Sequence, residues 1–112
     1  MRKTTHAESG LAGPAQHVML ALGTDALHGY AIMQGIAERS GGQIRLLPGT
    51  LYSTLKKLLA EGLVEECDPP KQADSDDARR RYYRVTREGK AAMKAQTERL
   101  ALLVKLGKVF AS

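Results

Sequence analysis

Apolar positions recur along the chain with helical spacing and are interrupted by glycine, proline and acidic stops. Pro14 suits a first helical position, and Val18, Met19, Leu20 and Leu22 carry a helix to the stop at Gly23-Thr24-Asp25. Ile32, Met33, Ile36 and Ala37 fall at i, i+1, i+4 and i+5, which predicts a half-buried helix from about His28 to Ser40. Gly41-Gly42 ends it, because paired glycines favour left-handed turns. Ile44-Arg45-Leu46 alternates apolar and polar and predicts a very short strand. From Pro48 to about Glu61, Leu51, Leu55, Leu58 and Leu59 make one continuous face of a third helix, closed by Gly62.

Two strands are predicted next, Leu63 to Cys67 and Arg80 to Val85, joined by a long turn-rich loop from Asp68-Pro69-Pro70 to Ala78. Alternation places Tyr83 with Val85 on the inner side and Tyr82 with Arg84 on the surface. Thr86 is a fitting N-cap for a last helix, with Glu88 near its positive end. That helix runs to about Phe110, roughly 35 Å at 1.5 Å per residue. Its outer half, Leu100 to Phe110, is apolar on more than one face. A body of about 80 residues is too small to bury both sides, which predicts packing against a partner chain through Met93, Leu100, Leu103, Leu106 and Phe110. Residues 1–10 are polar and aperiodic and read as a flexible tail. Residues 11–86 form one domain and 87–112 the terminal helix.

Composition narrows the partners. Among 112 residues, 17 Lys and Arg stand against 12 Asp and Glu, giving +5, which favours a polyanion. No run approaches the roughly 20 apolar residues of a membrane span, and the start MRKTTHAESG has no signal-peptide core. A single cysteine, Cys67, fits a reducing cytoplasm and excludes an internal disulfide. At the end of the strand from Leu63 to Cys67 it reads as a passive, partly buried thiol rather than an oxidant sensor.

The cations gather on the later elements. On a wheel of about 100° per residue, Ser53 and Lys57 lie opposite the leucine face, with Thr50 and Lys56 flanking and Tyr52 at the boundary. Small hydroxyls and two lysines, with no carboxylate before Glu61, suit entry into a major groove. Arg79, Arg80 and Arg81 on the returning strand suit a wing lying along phosphates. Asp74, Asp76 and Asp77 at the wing tip would repel phosphate, so the tip is expected to bend away or stay mobile. Asp74-Ser75-Asp76-Asp77 lacks the remaining ligands and turn glycine of a calcium loop, and His6, His17 and His28 form no ligand pair. No phosphate loop, nucleophile elbow or dinucleotide fingerprint is present; neither an enzyme nor a cofactor is expected.

His28-Gly29-Tyr30, Pro48-Gly49-Thr50-Leu51-Tyr52, Glu61-Gly62-Leu63-Val64 and Arg80 through Gly89 together resemble the PadR family of prokaryotic transcriptional regulators, from roughly Val18 to Met93. The resemblance implies a mainly α fold with a small β-hairpin, a winged helix-turn-helix with a long C-terminal dimerisation helix. It also implies a homodimer that reads double-stranded DNA at an inverted-repeat operator, usually a repressor released by a small hydrophobic effector. Position by position, Thr50, Tyr52, Ser53, Lys56 and Lys57 match the recognition helix and Arg79 to Arg81 the wing. Tyr30 matches the tyrosine of the second helix and is expected as a buried ring bracing the helices. Ser53 departs from the proline that many relatives carry after the Leu-Tyr pair, which leaves the fold intact and bears on contacts. A winged-helix protein-interaction module without specific DNA binding is the alternative, because fold alone does not decide between the two.

Overall fold

The computed structural model describes residues 11–111, so the segment expected to be a flexible tail lies outside the described residues. Helix α1 (Pro14–Leu22) is followed by strand β1 (Leu27–His28), helix α2 (Gly29–Arg39) and helix α3 (Pro48–Ala60). Strands β2 (Val64–Cys67) and β3 (Tyr82–Val85) then form a hairpin, and helix α4 (Arg87–Gly107) ends in a 3-10 turn over Lys108–Phe110. Leucines decide the packing. Leu51, Leu55 and Leu58 of α3 are fully buried against Val18, Met19 and Leu22 of α1 and Ile32 and Ile36 of α2. Each such side chain contributes about 1.5–3 kcal/mol on removal from water. Leu63, Val64 and Tyr83 seat the hairpin on the same core.

The sheet has three strands in the order β1-β3-β2, all antiparallel. Its third strand is not the one expected. Ile44 to Leu46 forms no ladder, because the Ser40 hydroxyl satisfies that backbone: Ile44 N–H donates to Ser40 Oγ at 2.9 Å. The strand is instead Leu27–His28, paired Leu27 to Tyr83 and His28 to Tyr82. This also corrects Tyr82, expected on the surface and found buried. Cross-strand partners share a face, so Tyr82 on the central strand lies between His28 and Cys67. The His28 ring meets it edge to face, with centroids 5.4 Å apart.

Thr86 joins the hairpin to the long helix. Its hydroxyl accepts from Gly89 N–H at 3.0 Å, caps α4 and donates to the Gly62 carbonyl at 2.6 Å. Gly89 lies directly against the Leu63 carbonyl. Further along, Gln96 is buried; its amide donates to Gln16 Oε1 at 3.1 Å and its carbonyl accepts from Arg99 at 2.8 Å. Beyond that point α4 leaves the body. The result is a winged helix-turn-helix with a projecting terminal helix, measuring 52 × 36 × 24 Å. No helix among the described residues is long and apolar enough to cross a membrane.

Candidate nucleic-acid interface

With its leucines turned inward, α3 leaves Thr50, Tyr52, Ser53, Lys56 and Lys57 exposed. Neither lysine has an ion-pair partner among the described residues. Ser53 Oγ donates back to the Thr50 carbonyl at 3.1 Å, which holds the hydroxyl close to the helix with its lone pairs free to accept. The exposed surface of α3 is therefore cationic and polar, and it carries no carboxylate.

The three wing arginines are exposed but do different things. In the loop, Asp74 Oδ1 accepts from Asp77 N–H at 2.8 Å and opens a 3-10 turn over Asp77–Arg79. Arg80 pairs with Asp77 at 3.3 Å, its guanidinium 6.0 Å from the Tyr30 ring centre. Arg81 lies 3.6 Å from Glu66. Burial pushes the Tyr83 phenol up, with Glu66 adding to the effect and Arg81 offsetting part of it. Arg79 has no ion-pair partner among the described residues. Arg84 is bound to Glu65 at 2.7 Å across the hairpin, so its charge is neutralised locally. Of the wing-tip carboxylates, Asp77 turns towards Arg80 rather than outward alone.

Tyr52, Arg80 and Arg81 come together at a cleft of about 190 Å³ between α2, α3 and the wing. Thr50, Ser53, Lys56, Lys57 and Arg79 do not line it. Tyr30 does, and this corrects its expected burial: the ring is 52% exposed. It precedes Ile32 by two positions, roughly 200° around the helix, so the burial of Ile32 turns Tyr30 outward. Gly29 was also missed. A side chain there would overlap the Tyr52 hydroxyl, so the tyrosine reaches across the start of α2 only because Gly29 has none. The adjacent His28 caps α2, its Nδ1 accepting from Ala31 N–H at 3.2 Å. Burial lowers the His28 pKa below the ordinary imidazole range, and the nearby Arg80 charge lowers it further.

Met93 packs partly against the core beside α1, whereas Leu100, Leu103 and Leu106 lie in the exposed part of α4 and Phe110 in the exposed 3-10 turn after it. Cys67 is half-buried, and that burial pushes its thiol up, away from the reactive thiolate.

Residues 18–95 match the family model described as the transcriptional regulator PadR-like family. A transcriptional regulator of Mycobacterium tuberculosis, Rv3488, is 34% identical over 77 residues, covering 69% of this chain and 65% of its own. An uncharacterized 37.1 kDa protein of transposon Tn4556 from Streptomyces fradiae is 35% identical over 95 residues, 85% of this chain. The chain spans only 24% of that protein's length and just under two thirds of the mycobacterial one. Among solved structures, a transcriptional regulator of Clostridium thermocellum superposes with a TM-score of 0.73 at 23% identity, over 96% of this chain and all of that one. A PadR family regulator of Clostridium difficile gives 0.68 at 23% identity, over 86% and 97% of the two chains. Both structures share the fold. The matched span holds most of the winged helix, and the chain belongs to the PadR-like family of transcriptional regulators.

Proposed function

We propose that the protein is a homodimeric, sequence-specific DNA-binding repressor. In this reading Thr50, Ser53, Lys56 and Lys57 enter the major groove, Tyr52 fixes the helix position, and Arg79 to Arg81 hold phosphates. The observation that carries it is the placement of Tyr52 of α3 with Arg80 and Arg81 of the wing around one cleft, beside two exposed lysines without ion-pair partners. Dimerisation is supported by the end of the chain, where Leu102, Leu103, Val104 and Leu106 of α4 and Val109 and Phe110 of the 3-10 turn after it are each more than half exposed. An isolated chain gains nothing from so much apolar surface in water. Paired recognition helices would stand about 34 Å apart, so the operator is an inverted repeat of matching spacing. Release by a small hydrophobic effector and a cytoplasmic setting complete the proposal. The effector would act by favouring a spacing of the two wings that does not fit the duplex.

Selection of bound sequences from a random duplex pool tests the reading directly. A symmetric, spaced motif is expected. Recovery of unrelated sequences, from a protein of single-chain mass that heparin does not retain, would favour the protein-interaction module, in which exposed α4 docks another protein.

A further inference from the structure

The cleft between α2 and the wing has a lining suited to one ligand chemistry. Two guanidinium groups, of Arg80 and Arg81, and two half-exposed phenols, of Tyr30 and Tyr52, line a volume of about 190 Å³, and no carboxylate among the described residues lines it. A water molecule occupies about 30 Å³ of liquid, so a tetrahedral oxyanion has room. The Tyr30 hydroxyl accepts from Gln34 Nε2 at 3.4 Å, which leaves its own O–H to donate. The Tyr52 hydroxyl has no hydrogen-bond acceptor among the described residues. Among the described residues, the carboxylates paired with these arginines are Asp77, on Arg80 at 3.3 Å, and Glu66, on Arg81 at 3.6 Å. Both pairs are about half exposed or more, so water screens them and each is readily exchanged. A phosphate offers each arginine shorter, charge-assisted bonds.

We propose that this cleft binds one tetrahedral phosphate through Arg80, Arg81, Tyr30 and Tyr52, and that Asp77 is its internal competitor, holding Arg80 while the site is empty. The proposal rests on the DNA-binding reading for its main source of phosphate, a backbone phosphodiester; free inorganic phosphate carries the same chemistry.

The test titrates the isotope-labelled full chain with inorganic phosphate, using chloride to keep ionic strength constant, and follows Tyr30 and Arg80 by NMR. Saturable shifts are expected, abolished in Arg80→Gln. In Asp77→Asn, half-saturation should need several-fold less phosphate. Asp76→Asn, which removes the same charge outside the arginine pair, should stay within about twofold of wild type. Linear shifts that chloride reproduces, or equal effects of the two asparagine variants, overturn the proposal. A parallel arm measures duplex binding against salt, where Arg80→Gln should lower the slope by about one phosphate contact. Saturation by phosphate in a protein that ignores duplex upholds the cleft, assigns it to free phosphate and sinks the DNA reading. Duplex binding with neither phosphate saturation nor a changed slope keeps the DNA reading and sinks the cleft.

Discussion

Gly89 has no room for a methyl group, because a Cβ would run into the Leu63 carbonyl and the Val85 side chain. Those atoms belong to the α3–β2 junction and the central strand, so they cannot yield without moving the hairpin. Gly89→Ala should cost about 1–3 kcal/mol, read as a lower urea midpoint with unchanged slope. His28 makes a different kind of prediction. Its folded-state pKa is depressed, chiefly by burial, and capping α2 requires an unprotonated Nδ1. Above about pH 6.5 the imidazole is neutral in both folded and unfolded chains and adds no pH dependence. Below that, the unfolded chain takes up the proton first, so stability falls until the pH reaches the folded pKa and then levels off. Compared with wild type, His28→Asn keeps a capping acceptor and should lose less stability between about pH 7 and about pH 5.5 in paired melts. Neither the crowding of Gly89 nor the cap by His28 has a signature in local composition. The first depends on an element 26 positions upstream in the chain, and histidine is an uncommon cap.

The helices were legible because each carried both a periodic face and a stop. Leu51, Leu55 and Leu58 set the buried side of α3 and, by exclusion, its exposed ridge. The strands were legible only in part. Three alternating residues at Ile44 suggested a strand that Ser40 makes unnecessary, whereas Leu27–His28 is too short to show any period. Missing that strand misplaced Tyr82, since a two-stranded hairpin would have left its side uncovered. The two basic elements make separable predictions. Lys57→Ala should weaken operator binding about tenfold at fixed salt, and an unchanged titration would remove α3 from the groove. Replacing Arg79, Arg80 and Arg81 together should flatten the salt dependence on any duplex, because fewer counterions are released. An unchanged slope would contradict the wing's role.

The bare apolar surface gathers on the last turns of α4 and the 3-10 turn after it, where the exposed Lys105 and Lys108 are interspersed with it. Leu103→Asp with Leu106→Asp places two charges on that surface without touching the core. If α4 joins two chains, dimer affinity should fall by a factor of about a hundred or more, visible as a shift to single-chain mass in sedimentation. Retention of the two-chain mass would locate the interface elsewhere. The apolar excess of this segment was plain in the sequence, but the point where the helix parts from the body was not. That point depends on Gln96 reaching Gln16, 80 positions away in the chain.

The amide pair of buried Gln96 and half-buried Gln16 acts as the fulcrum of a lever. From it the arm extends about 14 residues, or about 21 Å, to Phe110. A tilt of about 5° there would carry the tip about 2 Å while scarcely disturbing the winged body. In a two-chain assembly joined at the tips, the distance between the two reading heads would then be set as much by one amide contact as by anything that touches DNA.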